Sequence, residues 1–143
     1  MAEALLRERI NKTFPEAESW RVESAGVNAL EGIPPSKFSV SAMAAREIDI
    51  SGHRARTVTR DMMRDFNLVL TMEKIHKQIL QARFPEKSRI VFMLSEMTGE
   101  EFPVDDPFGA TLEDYQQTAE VLDRMIVNGM EAILSYAKTG DPW

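Results

Sequence analysis

Cysteine is absent from the 143 residues. That absence excludes disulfides, thiolate metal sites and a cysteine nucleophile within this chain. Histidine is scarce, with two copies. They are His53 and His76, and no His-x-x-x-His spacing exists, so neither a catalytic zinc nor any other metal or cofactor is expected. No apolar run approaches the roughly 20 residues that a membrane-crossing helix needs. No basic-then-apolar leader stands at the start. The expectation is a cytoplasmic protein with no membrane partner. Positive charge is in deficit, with 17 Lys and Arg against 23 Asp and Glu and a net charge of −6. A nucleic-acid backbone is therefore not an expected partner, although a locally positive cleft is compatible with that total.

Repeats, low-complexity tracts and linkers are also missing, so residues 1–143 read as one domain. Hydrophobic residues make up 43% of the chain, enough for a proper core. Ala2 to about Thr13 reads as a helix with Ala4, Leu5 and Ile10 inward. Trp20–Gly26 alternates like a short strand. Ser36 caps a predicted helix to about Ile48, with Phe38, Val40, Met43 and Ala44 inward. Thr59 caps a short helix. Leu68–Met72 and Arg89–Leu94 are continuous apolar runs, the pattern of strands covered on both faces. Lys74–Phe84 reads as the helix between them, and Thr111 caps a final helix to about Ala137. This alternation predicts an α/β fold, with helices layered on a parallel sheet.

A few segments carry chemistry, each beside a plainer reading. In Asp105-Asp106-Pro107-Phe108-Gly109, proline fixes its own φ and pushes Asp106 toward an extended backbone. That can hold a carboxylate over a cleft as a general acid. Asp and Pro are equally ordinary turn residues. Ser24-Ala25-Gly26 lets a group approach the backbone closely, or is a simple turn. His53, with Arg54 and Arg56, either touches an anion or is a solvated loop histidine. The methionines read as core filler.

Taken together and in order, Met1-Ala2-Glu3-Ala4, Ser24-Ala25-Gly26, Ser51-Gly52-His53-Arg54-Ala55-Arg56, Met72-Glu73 and Asp106-Pro107-Phe108 resemble the low-molecular-weight protein phosphatase family. The resemblance covers essentially the whole chain. It implies a three-layer, Rossmann-like sheet of strand order 2-1-3-4. It implies hydrolysis of phosphotyrosine or phosphoarginine in a phosphorylated protein substrate through a cysteinyl-phosphate. Asp106 matches the general acid. Ser24 matches a serine that steadies the phosphate loop. His53 and Glu73 match a supporting histidine–carboxylate pair. Leu30 and Phe108 fall where the cleft walls contact the substrate side chain. Asp106–Gly109, His76–Ile79 and Tyr115–Thr118 look nearest to the bacterial protein-arginine phosphatases. The arsenate-reductase branch needs further cysteines that this chain does not have.

The family pattern places a central strand and a Cys-x5-Arg loop ahead of the Met-Ala-Glu-Ala helix, and neither is in this sequence. The chain as given is expected to lack turnover. Its flanking strands would stand about 9.6 Å apart, twice the ~4.8 Å spacing of paired strands. A strand-completing partner or self-association is the expected consequence. Two accounts follow. The protein is longer, with its start set at an internal methionine, or it is a non-catalytic pseudophosphatase that binds a partner. A third account, an unrelated α/β binding module, is favoured if Asp106 lies far from Ser24 and His53.

Overall fold

The computed structural model describes residues 1–14 and 16–139, which form two compact units. The first comprises Met1–Thr57 and Asp106–Ile126, the second Val58–Asp105 and the chain from Val127 onward.

In the first unit, α1 (Ala2–Thr13) buries Leu5 and Ile10 and ends where Phe14 turns extended at φ −124°. Helix α2 (Lys37–Ala44) begins as expected: the Ser36 hydroxyl accepts the Ser39 N–H at 3.1 Å. It ends earlier than the sequence pattern predicts. The Ile48 N–H reaches back to the Met43 carbonyl and the Glu47 N–H to the Ala44 carbonyl, with Glu47 at φ 62°. This pair of bonds around a left-handed residue is a Schellman stop. Ala42 and Met43 are buried, but Phe38 and Ala44 face solvent. An eight-residue helix buries only a narrow stripe, and the Phe38 ring instead meets Tyr115 edge-on, centroids 5.8 Å apart.

Trp20–Gly26 forms no ladder; its one bridge joins Gly26 to Thr57 in parallel sense. A strand needs a neighbour's amides and carbonyls, and alternation supplies only the capacity to pair. Here arginine side chains take up two of the carbonyls. Arg7 Nη2 donates to Val22 at 2.6 Å and Arg56 Nε to Ser24 at 3.1 Å.

The second unit is built on a two-stranded parallel sheet, β1 (Val69–Thr71) and β2 (Val91–Met93), with Val69 opposite Val91 and Thr71 opposite Met93. Both strands fall inside the predicted runs and are shorter. Pro85–Ile90 winds into a 3-10 helix, which takes Arg89 and Ile90 out of β2. Val91 and Met93 are buried, whereas Val69 and Leu70 are only half-buried. Helix α4 (Lys74–Arg83) makes the crossover and packs on both strands. Helix α3 (Arg60–Asp65) is capped by Thr59, as predicted, with the Met62 N–H donating at 3.2 Å.

Helix α5 (Leu112–Thr139) contributes its residues up to Ile126 to the first unit and the rest to the second. In the second unit Tyr136 packs against Phe92, centroids 5.0 Å apart. The fold is α/β: a small parallel sheet with helices around it.

Candidate functional site

Asp106 lines a cavity of ≈ 470 Å³ in the first unit, with Met1, Ile33, Pro34, Phe108 and Tyr115 among the other walls. The motif and the start of α1 are thus brought to one place, although 104 residues of sequence stand between Met1 and Asp106. Local chemistry sets the acid loop. Asp106 Oδ1 accepts the Phe108 N–H at 3.0 Å, and the Ala110 N–H closes a turn onto the Pro107 carbonyl at 2.9 Å. Gly109 takes φ +78° within that turn, a conformation that glycine adopts at little cost. Phe108 is left at the tip, 84% exposed.

The opposite rim is the Leu30–Pro34 loop. Gly32 sits at φ +79°, and its N–H donates to Ala55 O at 2.8 Å, while the Ala55 N–H returns to Ile33 O at 2.9 Å. Glu31 Oε1 accepts the Thr57 N–H at 2.6 Å, and Thr57 Oγ1 accepts the Ala29 N–H at 3.1 Å. These bonds brace a loop that displays apolar side chains. Leu30 is 74% exposed, and Ile33 with Pro34 forms cavity wall. Leu30 itself is not among the lining residues.

The first turn of α1 also carries a cluster that the sequence pattern does not assemble. Glu3, in the first turn of α1, accepts hydrogen bonds from the Ser24 hydroxyl and from Arg7 Nη2, and His53 Nδ1 stands 3.7 Å from its carboxylate. Ser24 and His53, both singled out from the sequence, therefore converge on one buried-side carboxylate. Burial opposes ionisation of Glu3, but the hydrogen bonds from Ser24 and Arg7 and the nearby charges outweigh it and hold its pKa below the ordinary value. Glu3 was in view as part of Met-Ala-Glu-Ala. The available signal was an acidic residue in a helix's first turn, which says nothing of distant partners.

Arg56, from the same loop as His53, is engaged by its neighbours. Its Nη2 meets Glu23 Oε2 at 2.6 Å and its Nε holds the Ser24 carbonyl. Arg54 Nη1 donates to the carbonyls of Ser51 and His53, at 2.9 and 2.6 Å. Glu73 belongs to the second unit, where it precedes α4 and stands 3.9 Å from His76 Nδ1. Each of the two histidines so has a carboxylate within its own unit. Among the described residues no group of three His, Cys, Asp or Glu could hold a metal ion. No helix among them is long and apolar enough to cross a membrane.

The arrangement offers one exposed carboxylate beside an aromatic tip and an apolar rim, at the end of a helix whose N-terminal dipole favours negative charge. Known proteins with the same sequence pattern are phosphatases. The profile described as "Low molecular weight phosphotyrosine protein phosphatase" matches residues 1–137. EpsP of Ralstonia nicotianae, named a probable low molecular weight protein-tyrosine-phosphatase, is 38% identical over 124 residues, 87% of this chain and 79% of that one. The protein-arginine-phosphatase of Bacillus subtilis is 33% identical over 127 residues, 88% of this chain and 82% of that one. A crystal structure of the low molecular weight protein tyrosine phosphatase from T. tengcongensis superposes with TM-score 0.84 at 35% identity, covering 92% of this chain and 88% of the other. Profile, relatives and fold agree with the motifs that frame the cavity, and the chain belongs to the low molecular weight phosphotyrosine protein phosphatase family.

Proposed function

We propose that this chain carries the proton-transfer and substrate-recognition side of a phosphatase site acting on phosphotyrosine or phosphoarginine in proteins. Asp106 serves as the general acid that protonates the departing side chain and then activates water. Phe108 and Leu30 form the apolar walls against that side chain. Ser24 and His53 support the site through Glu3, and Glu73 is assigned a supporting role as well. The observation that carries the reading is the cavity that Asp106 and Phe108 share with Met1 at the start of α1. The match over residues 1–137 favours reading the chain as one catalytic domain.

The family reaction passes through a cysteinyl-phosphate, and these 143 residues contain no cysteine. Residues 1–143 alone are therefore proposed to be inactive. Purified chain should not hydrolyse p-nitrophenyl phosphate above a protein-free blank. The same chain extended ahead of Met1 by a strand and a Cys-x5-Arg-Ser-Pro loop should gain turnover, and Asp106→Asn in that extended protein should lower kcat by about 10²–10⁴-fold. Hydrolysis by the unextended chain, or full kcat in the extended Asp106→Asn protein, overturns the reading.

The choice between tyrosine and arginine rests on the same extended protein. Asp106-Pro107-Phe108-Gly109 favours phosphoarginine, and the EpsP likeness favours phosphotyrosine. Competing a phosphoarginine peptide against a phosphotyrosine peptide and comparing kcat/KM decides it.

A further inference from the structure

The apolar rim that faces Phe108 has little packing to hold it. Leu30 is 74% and Ile33 47% exposed, so burial contributes little to where that loop sits. Ile33 and Pro34 nevertheless line the cavity together with Asp106 and Phe108. Hydrogen bonds to residues 55–57 supply what packing does not. Ala55 pairs with the loop through its carbonyl and its N–H, to Gly32 and Ile33. Thr57 does more. Its N–H donates to Glu31 Oε1 at 2.6 Å, and its Oγ1 accepts the Ala29 N–H at 3.1 Å and donates to the Ala29 carbonyl at 3.3 Å. One hydroxyl so engages both backbone groups of Ala29, just ahead of the exposed Leu30.

The stretch that carries this hydroxyl is itself anchored on its other side. Thr57 bridges Gly26, the Gly26 N–H donates to Arg56 O at 2.8 Å, and Arg56 Nε holds the Ser24 carbonyl at 3.1 Å. Thr57 is not among the residues lining the cavity, so its influence on a bound molecule passes through the loop. We infer that Thr57 is a positioning residue: it holds the Ile33–Pro34 wall in place against Phe108 and so sets how tightly the substrate side chain is bound. The inference rests on reading the Asp106 cavity as the substrate cleft. It adds a residue that governs recognition without touching substrate.

The test uses the extended protein with its Cys-x5-Arg loop and two variants. Thr57→Val keeps the shape of the side chain and removes the hydroxyl, which leaves the Ala29 N–H without its acceptor. Thr57→Ser keeps the hydroxyl. On whichever phosphopeptide the wild type prefers, Thr57→Val should raise KM by about 3–10-fold, the equilibrium equivalent of one hydrogen bond. Its kcat should hold, the signature of lost binding that ground and transition states share. Amide hydrogen exchange at Ala29 should quicken in Thr57→Val, and Thr57→Ser should restore both KM and exchange. An unchanged KM in Thr57→Val, a loss of kcat in place of a rise in KM, or a rise that Thr57→Ser shares overturns this inference alone. An extended wild type without turnover overturns the cleft reading and this inference with it.

Discussion

Arg9 grips Asp123 with two donors, Nε to Oδ1 at 2.9 Å and Nη2 to Oδ2 at 2.6 Å, joining α1 to α5 across 114 residues of sequence. Arg46 adds a third contact, Nη2 to Oδ2 at 2.6 Å. Asp123 is 8% exposed, so the pair is more than a surface ornament. It also holds the helix whose N-cap residue, Met1, lines the Asp106 cavity.

Asp123→Ala should therefore destabilise the chain by about 2 kcal/mol. Breaking a fully buried pair costs about 3–5 kcal/mol. The guanidinium side chains here are 40% and 27% exposed, and water screens part of the loss. The Arg9 hydrogen bond, then the charges of Arg9 and Arg46, hold the Asp123 pKa below its ordinary value against the opposing effect of burial. A depressed folded-state pKa gives stability that is present above the unfolded value, about 3.9, and is lost as pH falls through the folded one. Urea melts at pH 7 should show the full difference between wild type and Asp123→Ala. Melts near pH 2 should show much less. A difference that does not change with pH is the contrary result.

Glu47 holds φ 62° at the end of α2. A side chain in that region is strained by about 1 kcal/mol, and the helix stop there is the position that glycine fills most readily. Glu47 is also exposed and does not line the cavity. Glu47→Gly should raise stability by about 0.5–1 kcal/mol, read from a urea midpoint shift at constant m-value.

Gly129 gives the opposite sign. It lies inside α5, where alanine would ordinarily gain about 1 kcal/mol. A Cβ there would stand 2.8 Å from Met97 Cβ and 3.2 Å from Met97 backbone atoms. Neither neighbour is the far end of a flexible side chain. Gly129→Ala should lower stability by about 1–3 kcal/mol net, visible in the same melts. A gain would mean that the 3-10 turn Leu94–Thr98 yields more readily than close packing allows.

These cases mark what a sequence displays and what it conceals. The caps at Ser36, Thr59 and Thr111 were legible because each acts within three residues of itself. The cores of both strands were legible because Leu68–Met72 and Arg89–Leu94 are unbroken apolar runs. Their lengths were not, since pairing decides where a ladder stops. Phe38 was misread as inward because periodicity defines a face without saying how wide a stripe the rest of the unit covers. Trp20–Gly26 was misread as a strand because a ladder needs a partner. Asp106 and Phe108 were singled out through the order of the motifs, and the turn that holds them is local. The ties from Glu3 to Ser24 and His53, and from Arg9 to Asp123, join residues with no local signature.

Glu3 is where Ser24, Arg7 and His53 meet, and it gives the sharpest structural test of the cluster. Glu3→Gln preserves the size of the side chain and an acceptor for the Ser24 hydroxyl. It removes the charge that Arg7 and His53 face. The hydrogen bonds to a carboxylate weaken toward those to a neutral amide, a loss of about 1 kcal/mol at pH 7. The Glu3 pKa is depressed in the fold, so its contribution stands above the unfolded glutamate value, about 4.3, and fades as pH falls below it. Wild type and Glu3→Gln should differ at pH 7 and converge as pH falls through the lowered folded value, in parallel with Asp123→Ala. In the extended protein, Glu3→Gln should also loosen the Ser24 contact and lower kcat while Asp106 remains in place. If kcat is unchanged and the stability gap persists below that folded value, Glu3 is only a space-filling residue and Ser24 and His53 support the site by another route.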